Sequence, residues 1–141
     1  MQLPVKAHYA VIAILAIARE HDSGSLVAAR MIANEHAVPS QFLVQILQQL
    51  RAANLISSTR GSNGGFRLSR SPNGITLADV IDAVCPASIA SSTFDGNSNI
   101  QHAVQQLWDE LAAQERSLYQ SWTVADMLER AQVIPSNMFY I

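Results

Sequence analysis

The apolar spacing of this 141-residue chain is helical up to Asn54 and changes abruptly after it. Leu55-Ile-Ser-Ser-Thr59 and Phe66-Arg-Leu68 flank Arg60-Gly-Ser-Asn-Gly-Gly65, and glycine and asparagine supply the positive φ that a tight β-turn needs. The segment predicts a two-stranded hairpin set into a helical body. That restricts the fold to architectures in which a small β-wing follows a helical head.

Upstream, the spacing predicts three helices. The first covers 6–20 around the apolar run Tyr9–Ala18; a run of about ten residues falls well short of the ~20 that span a bilayer. A second fits Leu26–Glu35, with Leu26, Ala29, Ile32 and Ala33 (or Arg30) on helical spacing. A third opens near Pro39-Ser40, proline suiting a first helical position and serine an N-cap. It turns Phe42, Leu43, Ile46, Leu47 and Leu50 inward and leaves a glutamine-rich, uncharged face outward.

Downstream, Thr76-Leu-Ala-Asp79 forms a capping box. The helix it opens must stop at Cys85, because Pro86 follows. Residues 86–99 have no period and a Ser/Asn/Gly composition, which predicts a flexible loop. A long helix over about 100–122 carries Val104, Leu107, Trp108, Leu111, Leu118, Tyr119 and Trp122 along one stripe, a spacing suited to packing against another helix. Thr123-Val-Ala-Asp126 repeats the capping box and starts a short final helix that ends before Pro135. The expected fold is mainly α with a small two-stranded β-wing: a winged helix–turn–helix plus a long C-terminal helix. Its expected parts are a head over 1–84, a loop over 85–99 and a helical region over 100–141, all within one integrated domain.

A net charge of −2 argues against a nucleic-acid binder only while it is left as an average. Residues 1–75 hold seven cationic residues against three acids, a formal +4, whereas 76–141 hold two against eight, a formal −6. Between Glu35 and Asp79 four arginines occur with no acid, which is where a polyanion meets least repulsion. Only 14% of residues are charged, against roughly 25% for an average soluble domain, so part of the surface should be apolar. One cysteine, Cys85, excludes an internal disulfide, a CxxC pair and an all-cysteine metal site within one chain. A reducing, cytoplasmic compartment fits this usage. Ala16-Ile17-Ala18 resembles a signal cleavage site, but one basic residue, Lys6, and an intervening Pro4 make a buried first helix the preferred reading.

Three helices followed by a hairpin is the order of a winged helix–turn–helix module. Glutamine can bond adenine bidentately, and Gln41, Gln45, Gln48 and Gln49 cluster near the start of the third helix. A polar helix face alone is more often a solvated surface. The hairpin strengthens the nucleic-acid reading. Arg60, Arg67 and Arg70 can reach phosphates or a minor groove, and Gly61, Gly64 and Gly65 permit close approach of the backbone.

Met1-Gln-Leu-Pro-Val-Lys-Ala-His-Tyr-Ala10, Phe42–Arg51, Leu55–Leu68 with its Arg-Gly-x-x-Gly-Gly-aromatic-Arg-Leu wing, and Ile75–Val84 together resemble the Rrf-type bacterial winged helix–turn–helix transcription regulators. The resemblance covers about residues 1–84 closely and 100–130 by pattern. It implies a homodimer whose long helices cross, through Val104, Leu107, Trp108, Leu111, Leu118 and Trp122. It also implies a palindromic double-stranded DNA operator read by the third helix, with the wing in the adjacent minor groove. By residue match, Ser40, Gln41 and Gln45 lie on the groove face and Arg60, Gly64 and Gly65 in the wing. Val44 stands where several relatives have an operator-discriminating glutamate, and Ala52 and Ala53 follow Arg51 where relatives often have basic residues.

Cluster-binding relatives carry three cysteines in the loop matching 86–99, and this loop has none, so no cofactor and no iron–sulfur cluster is expected. Cys85 reads as a small core residue, a redox-active thiol or a contact in an effector pocket. His8 reads as a capping or surface histidine or, paired with Cys85, as an unusual sensor ligand. The function expected is a sequence-specific transcription regulator, a repressor that occludes a promoter, acting on DNA with a small-molecule or redox effector and no membrane. The alternative is a winged-helix interaction subunit that holds a partner enzyme without specific DNA binding. No nucleophile–base pair, paired acids or metal-ligand spacing points to an enzyme.

Overall fold

A computed structural model describes residues 3–86 and 96–134. The elements run α1 (Val5–Ala18), α2 (Ala29–His36), α3 (Ser40–Ala52), β1 (Ile56–Thr59), β2 (Gly65–Leu68), a 3₁₀ turn (Pro72–Gly74), α4 (Leu77–Val84), α5 (Asn99–Ser121) and α6 (Val124–Val133). Architecture and order match the expected winged helix–turn–helix with a long C-terminal helix.

α1 is the hub. It packs on α2, α3, α4, α6 and β2, and Ala7, Ala10, Ala13, Ile14, Ala16, Ile17 and Ala18 are all buried. A helix apolar on most sides is stable only when covered on most sides, and its alanines let neighbours come close. α3 presents Leu43, Ile46, Leu47 and Leu50 to the core, the i, i+3, i+4, i+7 set of one face. Phe42, expected inward, is 40% exposed; its ring tilts over Tyr9 with centroids 5.9 Å apart. It sits one position off the buried stripe, at the boundary where a large ring can cover the core's edge without entering it. Ser40 is likewise not the N-cap. The helix begins with it, Pro39 is the N-cap, and no side chain caps the end.

The second helix starts at Ala29, three residues later than expected. Val27 is extended instead and pairs antiparallel with Phe66 of the hairpin, its N–H donating to Phe66 O at 2.9 Å and its O accepting from Phe66 N–H at 2.8 Å. Two hydrogen bonds and a buried valine side chain outweigh a weak local helix preference. The hairpin register is Ile56↔Leu68, Ser57↔Arg67, Ser58↔Phe66 and Thr59↔Gly65. Ile56 and Leu68 are buried at its base while Ser57, Ser58, Thr59 and Arg67 stay exposed.

Three capping boxes order the C-terminal half: Thr76 with Asp79, Ser98 with Gln101, and Thr123 with Asp126. The first and third are legible in the sequence; the second, Ser98-Asn-Ile-Gln101, straddles the boundary between the expected loop and the expected long helix. Thr76 and Thr123 form an isolated antiparallel bridge. Through it Leu77 N–H donates to Trp122 O at 2.8 Å and Val124 N–H to Ile75 O at 2.8 Å. The starts of α4 and α6 are thereby tied together, and α5 is anchored at its C-terminal end. The remainder of the expected loop, 87–95, lies outside the described residues. Among the described residues no helix is long and apolar enough to cross a membrane.

Candidate nucleic-acid interface

The turn before α3 is set by Ala37, which takes a left-handed conformation (φ 54°) at the end of α2. α3 ends in the same way. Asn54 is left-handed (φ 60°), its N–H donates to Arg51 O at 2.9 Å, and Leu55 N–H reaches back to Leu50 O at 3.1 Å. That is a Schellman cap, for which asparagine is the usual substitute for glycine. It reverses the chain from α3 directly into β1. Arg51 Nη1 donates to Ser58 Oγ at 3.2 Å, a side-chain link between α3 and the hairpin.

On this frame Ser40, Gln41, Gln45 and Gln48 are exposed, and Val44 between them is 55% exposed. Gln49 is turned partly inward. Its Oε1 is shielded from solvent without a hydrogen-bond partner among the described residues, so it does not extend the free glutamine face. Arg60 and Arg67 are exposed on the hairpin, and neither has an acid within ion-pair distance among the described residues. Arg70 donates to Gly74 O at 3.3 Å. The acids of the head sit elsewhere: Glu35 receives Arg19 Nη2 at 2.8 Å, and that hydrogen bond holds the Glu35 carboxyl below its ordinary range.

Gly61 supplies the positive φ expected of the turn (119°), and Gly64 and Gly65 have an added steric reason within the chain. A Cβ on Gly64 would overlap Thr59 O, and one on Gly65 would stand 2.7 Å from Val27 O. Gly64 thus lets the turn close, and Gly65 lets the hairpin dock on Val27.

Away from the head, no residue of α5 is buried, and its packing within the chain is chiefly on α4. Val104, Leu107, Trp108, Leu111 and Leu118 are 42%, 48%, 54%, 47% and 62% exposed. Trp122 is half-buried at the C-cap, with Arg130 stacked 4.4 Å from its ring centroid. Arg116 grips Asp82 of α4 through two bonds of 2.6 Å, a long-range pair that no local pattern announces.

Cys85 is half-buried at the C-cap of α4 and packs against the core, with its N–H on Ile81 O at 2.7 Å. His8 is exposed, its ring centroid 5.8 Å from that of Tyr9. Among the described residues no three His, Cys, Asp or Glu side chains come together as metal ligands.

Comparison with known proteins gives a consistent answer. The family described as Rrf2, iron-dependent transcriptional regulator, matches residues 3–130. A Mycobacterium tuberculosis protein, named provisionally as an HTH-type transcriptional regulator, is 34% identical over 132 residues, covering 90% of this chain and 81% of that protein. The HTH-type transcriptional regulator IscR of Photobacterium profundum is 30% identical over 132 residues, covering 91% and 76%. Among solved structures, that of T. potens IscR superposes with a TM-score of 0.76 at 27% identity, covering 99% of this chain and 97% of that one. CymR, the global cysteine regulator of B. subtilis, shares the fold with a TM-score of 0.79 at 24% identity, covering 92% and 98%.

Proposed function

The chain belongs to the Rrf2 family of transcriptional regulators, and from that premise we propose that it is a homodimeric repressor that occludes a promoter by binding a palindromic operator. Such regulators are DNA-binding proteins and not enzymes. α3 lies in the major groove with Gln41, Gln45 and Gln48 at base edges and Ser40 at the backbone. The hairpin enters the adjacent minor groove, and Arg51, Arg60, Arg67 and Lys6 meet phosphates. The head over 1–84 reads DNA, and 100–141 joins two heads.

One observation carries this reading. The acid-free stretch between Glu35 and Asp79 folds into α3 and a hairpin joined by the Arg51–Ser58 bond, with Gln41, Gln45 and Gln48 exposed and Arg60 and Arg67 unengaged by any acid among the described residues. The exposed stripe of α5 supports the dimer. Apolar side chains of this size gain ~1.5–3 kcal/mol each on full burial, and a contiguous exposed patch of them marks an interaction surface. The family's printed description is iron-dependent; with one cysteine in the chain, no resident iron–sulfur cluster is part of the proposal.

Sedimentation of the protein with a bound duplex tests it. The expected stoichiometry is two protomers per operator, reduced to weak, unsaturable binding by a charged substitution such as Leu107→Glu. One protomer per site, or an unchanged complex in that variant, contradicts the dimer. Binding to random duplexes that vanishes at moderate salt, with no preferred sequence, would instead support an interaction subunit. The exposed Ala52 and Ala53 beside Arg51 suit that reading.

A further inference from the structure

Two small cavities flank the hub helix, and they meet at Ala16, Arg19 and His36. One, of about 230 Å³, is walled almost wholly by carbon: Ile12, Leu15 and Ala16 of α1 with Leu128 and Ala131 of α6. The other, of about 220 Å³, is polar at its rim, with Arg19, Glu20, Glu35 and His36, and has Val27 and Ile32 in its wall. His36 Nε2 is shielded from solvent and has no hydrogen-bond partner among the described residues; Glu35 Oε1 is 3.8 Å away. A shielded ring nitrogen without a partner is costly unless something completes it.

We propose that these cavities together bind a small apolar α-amino acid, with its charged head among Arg19, Glu20, Glu35 and His36 and its side chain against Ile12, Leu15 and Leu128. Lining and charge select this class. The carbon-walled cavity offers a sugar or a phosphate no polar partner beyond its Arg19 and His36 edge, which excludes a nucleotide. The rim carries both signs. A bare carboxylate would face Glu20 and Glu35, and a bare amine would leave Arg19 and His36 unused. A zwitterion meets both, its carboxylate on the open guanidinium donors of Arg19 and on His36 Nε2, its ammonium on the Glu35 carboxylate. The hydrogen bond from Arg19 keeps that carboxylate ionised.

The position gives binding a consequence, and this part rests on the regulator reading. Val27 in the polar wall holds the hairpin through Phe66. His36 precedes the left-handed Ala37 that aims α3. A ligand that prefers one placement of these two supports shifts the population of DNA-competent heads by its differential affinity.

Isothermal titration of the full chain with L-leucine, 4-methylpentanoate and 3-methylbutylamine tests the site. Leucine is expected to bind, and each analogue, lacking one half of the head, at least about tenfold more weakly. Arg19→Met removes a head contact, and Ala131→Phe fills the apolar half from an exposed position; each should weaken leucine about tenfold or more. If a variant fails to fold, the imidazole proton shift of His36 in the wild-type chain on adding leucine decides the matter, and an unmoved resonance counts against the site. No heat with millimolar leucine, or equal binding by acid, amine and amino acid, overturns the proposal. DNA binding measured without leucine stands or falls separately, so failure of the ligand site and failure of the regulator reading are distinguishable.

Discussion

Gly65→Ala is the sharpest structural test of how the wing is held. A Cβ at this position would lie 2.7 Å from Val27 O, 2.8 Å from its carbonyl carbon and 3.1 Å from its N. All three are backbone atoms and cannot rotate away. The hairpin must therefore lift from Val27, stretching the bonds of 2.9 and 2.8 Å that pair Val27 with Phe66. At ~0.5–1.5 kcal/mol net for each hydrogen bond, the loss is about 1–3 kcal/mol. For a chain of this length that corresponds to a fall in melting temperature of ~3–10 °C. Two other glycines serve as controls. Gly74 has nothing within 4 Å of a Cβ and no positive φ, so Gly74→Ala should be neutral or stabilising by ~0.4–1 kcal/mol. Gly61 also has open space but a φ of 119°, so Gly61→Ala should cost ~1–2 kcal/mol through the backbone while leaving the Val27–Phe66 pairing intact. Thermal melts at one fixed protein concentration, with hydrogen exchange at the Val27 and Phe66 amides, separate the three. If Gly65→Ala melts like the wild type and Phe66 keeps its protection, the argument that close packing on Val27 positions the wing is wrong.

Three further outcomes are expected. Gln45→Ala should change which bases are preferred by ~1–3 kcal/mol at one position of each half-site, whereas Arg60→Ala should weaken all sequences alike and lower the salt slope by about 0.9 per contact; titrations across a salt series distinguish these. In a double-mutant cycle, Asp82→Asn with Arg116→Gln should show a coupling of at most ~1 kcal/mol that fades in high salt, because both side chains are well over a third exposed. Burial and the bond to the Glu115 carboxylate push the Tyr119 hydroxyl up to about 12. The folded chain thus favours its neutral form, the contribution is whole below the ordinary tyrosine value near 10, and it is lost as pH rises from ~10 to ~12. Denaturant melts across that window should show a steeper loss in the wild type than in Tyr119→Phe.

Where a feature was legible in the sequence, its cause was local. The Thr76–Asp79 and Thr123–Asp126 boxes need three residues' spacing and nothing else, and the hairpin is written in its own turn. Even the Schellman cap had a local sign in Asn54, whose αL tolerance ends α3. What was misread depends on partners distant in sequence. Leu26 opens a helical spacing that runs across Val27, but the hydrogen-bond partner of Val27 is Phe66, 39 residues on. Gly64 and Gly65 also answer to the chain's own backbone, at Thr59 and Val27, which no local pattern announces. The candidate site follows the same division. The exposure of Gln41, Gln45 and Gln48 follows from the period that buries Leu43, Ile46, Leu47 and Leu50. The engagement of Arg51 by Ser58 could not be read before the hairpin was placed on α3. Trp122, counted on the α5 stripe, is the extended C-cap residue just past the helix, with Arg130 of α6 on its ring.

The central claim, that this chain reads a specific two-fold symmetric DNA sequence, is tested most directly by selecting bound genomic fragments with protein purified without oxygen, after recording its absorption spectrum. The expected result is a colourless protein and one enriched palindromic motif, whose half-sites change base preference in Gln45→Ala. Enrichment of no sequence over background, or a motif that Gln45→Ala and Gln48→Ala leave untouched, would contradict the account.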